Sequence, residues 1–251
     1  MTSVDIQVVD YPEQAARLAA ERLAEQARAG GHIVLTGGST PRLAYELAAM
    51  LEPDWSRVEL WWGDERCVPP DDKRSNYRMA KAALLDRLEG QPAAVHRMKG
   101  ELGRDEGSAE YRLELTDVGT FDLVLLGLGP DGHIASLFPK FPSLDVKGRD
   151  VVGSEAGYEP FVDRITMTLP RIRDTHELLF LVTGEDKAEA VSRALVGDPS
   201  PGTPGSLARA AEGTTHAILD RAAAAMLSEG LVEVRSSSAC AGRSLTRTQG
   251  A

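Results

Sequence analysis

Over its first 230 residues the chain alternates between two kinds of segment. Short apolar, β-branched runs stand at 32–36 (HIVLT), 58–62 (VELWW), 121–129 (FDLVLLGLG), 177–184 (ELLFLVTG) and 215–220 (THAILD). Their length and near-continuous apolarity predict strands buried on both faces. Between them lie Ala-, Leu-, Glu- and Arg-rich stretches with helical spacing. In 12–31, Ala15, Leu18, Ala19 and Leu23 mark one face, Pro12 suits the first helical position, and Gly30 and Gly31 supply the stop. Residues 41–51 and 184–195 read the same way. This alternation predicts an α/β fold, a mostly parallel sheet with helices on both faces. Ligands in such folds sit beyond the carboxyl ends of the strands, so the residues directly after each run are the ones to search.

Four strand ends carry chemistry. After 32–36, Gly37, Gly38, Ser39 and Thr40 lead into a helix opened by Pro41. Glycines there admit an oxyanion to the backbone N–H groups, and the helix N-terminus adds partial positive charge. The loop is either a phosphate cradle or a plain turn with Ser or Thr capping the helix; no Walker lysine follows. After 58–62 come Asp64, Glu65 and Arg66. Arg66 is either a fork for a phosphate or carboxylate or part of a solvated charged turn in which Asp64 neutralises it. Ser75 is the expected cap of a helix opened by Asn76 and Tyr77.

The third strand end contains Gly127, Gly129 and Gly132, a literal G-x-G-x-x-G. A dinucleotide turn must offer amides to a pyrophosphate, yet Pro130 has no N–H and Asp131 puts an anion in the way. His133 points elsewhere. Histidine is the side chain best suited to proton transfer near neutral pH, and Asp131, two residues before it, is placed to orient the ring. The alternative is a histidine that caps a local helix. At the fourth end, Lys187 lies in the first turn of a helix, against the helix dipole, either as an anion ligand or as an ordinary exposed lysine. The remaining histidines, His32, His96, His176 and His216, show no metal-ligand spacing, so no catalytic metal is expected. No G-x-S-x-G elbow makes Ser136 a nucleophile.

Composition changes this picture little. Two cysteines among 251 residues give no disulfide or metal framework. The net charge of -10 argues against non-specific nucleic-acid binding but not against a local cationic pocket. Neither a secretory signal nor an apolar stretch long enough for a membrane span is found, so a cytoplasmic protein without membrane partner is expected. Residues 197–206 are Pro/Gly-rich but short enough for a loop. One domain is expected over 1–234. The segment 235–251 lacks apolar periodicity and reads as a disordered tail. Oligomeric state is not legible, and a monomer is the working expectation.

The motifs LTGGSTP, WWGDER followed by SNY, LGLGPDGHIASLFP, RITMTLP and VTGEDKAEAV, in this order, resemble those of the 6-phosphogluconolactonase family, which is related to the glucosamine-6-phosphate deaminases/isomerases. The resemblance spans roughly 5–230. It implies a Rossmann-like α/β domain without a dinucleotide or other cofactor. It also implies hydrolysis of 6-phospho-D-glucono-1,5-lactone, a small phosphorylated sugar lactone, in the oxidative pentose phosphate pathway. By the same resemblance His133 is the catalytic histidine and Asp131, with Asp64 as a second candidate, orients it. Gly37, Gly38, Ser39 and Thr40 form the phosphate loop, Arg66 and Lys187 contact substrate, and Arg164 falls in a family signature. Two readings stand beside it: an amino-sugar phosphate deaminase/isomerase, and a non-catalytic sugar-phosphate sensor, for which no DNA-binding module is found. The deaminases carry a glutamate five residues after the motif histidine; here that position is Phe138. Pro204, Gly205 and Ser206 replace a common Pro-Ala-Ser, and Ala217 a common tryptophan, both expected to lie away from the central motif.

Overall fold

In the computed structural model, which describes residues 3–228 and 233–234, all five expected strands lie in one sheet. They are β2 (Gly31–Leu35), β3 (Val58–Trp62), β6 (Phe121–Leu126), β9 (Thr175–Val182) and β10 (Thr214–Asp220). Three strands that the apolar pattern did not announce join them: β1 (Val4–Val9), β5 (Ala94–Val95) and β11 (Glu233–Val234). The order is β11-β1-β10-β9-β6-β2-β3-β5, and every pairing is parallel.

Side chains alternate along each strand, so the sheet feeds two cores. Ile33, Leu35, Leu60, Trp62, Leu123 and Leu179 face one. Val34, Trp61, Val124, Leu126, Leu178 and Phe180 face the other. The first core is closed by helices α1 (Pro12–Ala29), α2 (Ser39–Leu51) and α3 (Asn76–Ala83), through residues such as Ala19, Leu23, Ala44 and Ala80. Pro12 opens α1, and Gly30 (φ 89°) and Gly31 (φ 96°) stop it as the sequence predicts. Ser75 caps α3 by accepting from the Arg78 amide at 3.0 Å.

The second core is covered by helix α4 (Gly103–Glu114), by the helical stretch 188–196, and by a second sheet. That sheet is antiparallel: β4 (Asp64–Arg66), β8 (Arg164–Met167) and β7 (Val151–Ser154). The charged segment Asp64–Arg66 is therefore a strand rather than a turn. α4 packs so close that a Cβ on Gly107 would lie 2.7 Å from the Lys99 carbonyl oxygen and 2.5 Å from Ile165. No helix among the described residues is long and apolar enough to cross a membrane. The expected tail, 235–251, lies outside the described residues.

Candidate active site

The site forms where β2, β3, β6 and β9 end. After β2 the chain turns at Gly38 (φ 117°), which is itself the N-cap of α2, and no side chain caps the helix. The capping alternative for Ser39 and Thr40 is thus not realised, and the first-turn amides keep the polarity that attracts an anion. Thr40 instead bonds Thr183 at the end of β9 (Oγ1···Oγ1, 2.7 Å), which ties the loop down. Gly37 permits a close approach, since a Cβ there would lie 2.0 Å from Asn76 Oδ1.

Beyond β3, the antiparallel strand β4 alternates its three charged side chains. Glu65 points inward and is only 3% exposed. Its carboxylate accepts from the Arg66, Asn76 and Tyr77 amides at 2.7–2.8 Å and from Ser75 Oγ at 2.9 Å. Burial raises its pKa above the usual carboxylate value, and these four hydrogen bonds pull only partly against that rise. Glu65 thus fastens the start of α3 to β4. Glu65→Ala orphans one buried and two partly buried amides and is expected to cost about 3 kcal/mol of stability, measured by urea unfolding; an unchanged unfolding midpoint would remove Glu65 from this role. Asp64, also buried, accepts from Ser136 Oγ at 2.6 Å and Asn76 Nδ2 at 3.1 Å. Arg66 donates Nη1 to the Arg74 carbonyl at 2.6 Å.

The three glycines after β6 build a turn that holds His133. The Gly129 amide donates to the His133 carbonyl and the Gly132 amide to the Gly129 carbonyl, each at 2.9 Å, with Gly132 at φ 91°. A Cβ on Gly129 would collide with His133 Nδ1 at 2.1 Å. Asp131 Oδ1 lies 2.6 Å from that same Nδ1 and also accepts the His133 amide at 3.1 Å. Burial pushes the Asp131 carboxyl up, but the hydrogen bonds and charge of His133 outweigh it, and the pKa is held below the ordinary value. Asp131 is accordingly anionic at neutral pH and accepts a hydrogen bond from Nδ1, so that in the neutral form of the ring Nε2 is the acceptor. The ring sits between Phe138 (centroids 4.8 Å apart) and Tyr158 (5.6 Å). Asp64, the second candidate for orienting His133, is engaged by Ser136 and Asn76 instead.

These elements enclose a cleft of about 300 Å³. Gly37, Gly38, Ser39, Thr40, Asp64, Arg66, His133 and Lys187 all line it, as the sequence leads one to expect. Lys187 stands at the junction of a 3-10 turn and a helix, 3.1 Å from Asp186. Arg164 does not line the cleft. It is 2% exposed and donates Nη2 to the carbonyls of Tyr158 and Pro160 at 3.0 and 2.8 Å. Asn76, Tyr158 and Glu159 do line it and were not among the expected site residues. Gly205 corrects another expectation, because it does not lie away from the central motif. Its amide donates to the Gly132 carbonyl at 2.9 Å, and a Cβ there would lie 2.6 Å from Leu128.

A family model described as glucosamine-6-phosphate isomerases/6-phosphogluconolactonase matches residues 9–217. The 6-phosphogluconolactonase of Streptomyces coelicolor is 40% identical over 226 residues, covering 83% of this chain and 86% of that protein. The fold superposes on the structure of 6-phosphogluconolactonase from Trypanosoma brucei with a TM-score of 0.81 at 24% identity, over 91% of this chain and 100% of the other. It superposes almost as well on a monomeric glucosamine-6-phosphate deaminase, with a TM-score of 0.79 at 21% identity over 89% of this chain and 100% of the other. The fold is therefore common to both chemistries.

Proposed function

The chain belongs to the family of glucosamine-6-phosphate isomerases and 6-phosphogluconolactonases, and from this we infer that it hydrolyses 6-phospho-D-glucono-1,5-lactone to 6-phospho-D-gluconate in the oxidative pentose phosphate pathway. The observation that carries the reading is a single cleft lined both by a histidine that is bonded to an aspartate and by an uncapped helix N-terminus with a lysine nearby. The first is what an ester carbonyl needs, the second what a phosphate needs. The name shared by the curated relative points the same way.

In the proposed reaction the phosphate is held by the amides of Ser39 and Thr40 and by Lys187. His133 Nε2 takes a proton from water as the water oxygen adds to C1 of the lactone. The carbonyl oxygen becomes an oxyanion, and Arg66 offsets its charge. As the tetrahedral centre collapses, the C1–O5 bond breaks and the imidazolium returns its proton to the departing ring oxygen. The new acid then ionises. Asp131 keeps the ring in the tautomer that accepts at Nε2 and stabilises the imidazolium between the two transfers. Every acid, base and charge in this sequence is a side chain or amide of the chain. The partner is a small phosphorylated lactone, and the reading carries with it the cytoplasm as compartment and a monomer as working unit.

The direct test follows lactone disappearance against its spontaneous decay, with acceleration by the purified protein as the expected result. Lys187→Ala refines it. Hydrogen bonds to charged groups contribute roughly 1.5–3 kcal/mol, or about 10–150-fold, and this loss should appear mainly in KM if the phosphate is held equally in ground and transition states. Unphosphorylated gluconolactone should be turned over equally poorly by both proteins. An equal loss on that substrate would take Lys187 away from the phosphate.

A further inference from the structure

Two carboxylates line the cleft, and the proposed hydrolysis moves no proton through either. Asp64 is held by Ser136 and Asn76, and Asp131, which does not line the cleft, by His133. Glu159 also lines the cleft, is exposed, and makes no hydrogen bond or ion pair among the described residues. An unpaired anion is a poor neighbour for a phosphate. It is a good neighbour for hydroxyl groups, which donate to carboxylates, and the lactone ring carries three of them.

The backbone around Glu159 is held on both sides. Arg164, on β8, donates one nitrogen to the carbonyls of residues 158 and 160, the two that flank Glu159. Arg164 is 2% exposed, and its Nε and Nη1 have no protein partner. A guanidinium kept in that setting is costly, and its visible return is the fixed course of this strap. The same strand sets Arg164 directly across from Arg66 on β4, so the strap and the arginine of the cleft are mounted on one small sheet. Tyr158, beside Glu159, brings its ring to 5.6 Å from that of His133.

We propose that Glu159 is a specificity-determining residue that accepts hydrogen bonds from the sugar-ring hydroxyls, and that Arg164 is a positioning residue which holds the 158–160 strap so that Glu159 meets them. The proposal rests on the lactonase reading. It separates the roles of two residues: Arg164 acts on the substrate through the backbone of the strap, without touching it.

The test compares 6-phosphogluconolactone with its 2-deoxy, 3-deoxy and 4-deoxy analogues. Glu159→Ala should raise KM for the parent lactone about tenfold, the low end for a hydrogen bond to a charged acceptor, with kcat nearly unchanged. For at least one deoxy analogue, wild-type and variant should converge, because the hydroxyl that Glu159 serves is missing. Glu159→Gln, which keeps an acceptor oxygen, should recover part of the loss. Arg164→Met should raise KM alone but add little on top of Glu159→Ala, since both remove one contact. An unchanged KM in Glu159→Ala, or a penalty of equal size on the parent and on every deoxy analogue, would overturn the proposal. Wild-type turnover of the parent lactone checks the activity itself, so the two ideas fail separately.

Discussion

Replacing His133 with alanine should lower kcat for 6-phosphogluconolactone hydrolysis at least about 10²-fold, the low end for a lost general base. The protein should still fold and still bind the phosphosugar. The reasons lie in where the side chain sits. His133 is in a turn whose shape is set by backbone hydrogen bonds between residues 129, 132 and 133, and alanine leaves these in place. The ring is not part of either core. The groups proposed to hold the phosphate come from α2 and Lys187, on other strand ends. In the proposed reaction the imidazole receives a proton and returns it to the ring oxygen, so the loss belongs in kcat. Asp131→Asn is the graded companion. It preserves the shape of the turn but removes the charge that steadies the imidazolium, so it should lower the same parameter by less. The measurement is initial rate with spontaneous lactone decay subtracted, alongside isothermal titration with 6-phosphogluconate. Near-normal turnover in His133→Ala would remove the histidine from the mechanism.

The parts of this site that could be read in the sequence are those with a local cause. Apolar runs of five to nine residues read here as buried strands, and glycines directly after them mark the places where backbone must approach something closely. That logic finds Gly37, Gly38 and the turn around His133. It misses what depends on residues distant in sequence. Glu65 looks like a solvated charge, because nothing local shows that the amides of 76 and 77 will meet it. Segment 64–66 becomes a strand only when paired with 164–166, about a hundred residues later. β1 is short and carries Asp5 and Gln7, and it belongs to the sheet because β10 lies beside it. α4 is rich in charge and interrupted by Gly107, whose value shows only once the helix lies on the small sheet. Arg164 is conspicuous in sequence as a cation near the site, but its bonding partners are two carbonyls of a strap with no periodicity of its own.

The last expectation concerns the choice between the two chemistries that share this fold. The purified protein should hydrolyse 6-phosphogluconolactone well above its spontaneous rate and release no measurable ammonia from glucosamine 6-phosphate. The fold does not decide this, since a deaminase superposes nearly as well as a lactonase. One position does. In the related deaminases a glutamate five residues after the motif histidine helps open the sugar ring, and here that position holds Phe138. Phe138 is 2% exposed, its ring centroid is 4.8 Å from that of His133, and it packs on Phe141 at 5.5 Å. A Cβ on Gly157 would lie 2.5 Å from the same ring, so the surroundings are shaped to an aromatic side chain. An aromatic ring neither accepts a proton nor orients an imidazole by hydrogen bonding. Ring opening therefore lacks, at this position, the carboxylate that the deaminases place there. Lactone hydrolysis has no such need, because water attacks a carbonyl that is already present while the ring is closed. Two carboxylates remain in the cleft: Asp64, which is committed to Ser136 and Asn76, and Glu159, which we assign to the hydroxyls of the sugar ring. Phe138→Glu should not restore ammonia release either, since a carboxylate buried against Phe141 and Gly157 would carry a large desolvation cost and take up a proton. If the wild-type protein releases ammonia and leaves lactone decay unchanged, Phe138 does not exclude the deaminase reaction, and the deaminase assignment takes the place of the lactonase.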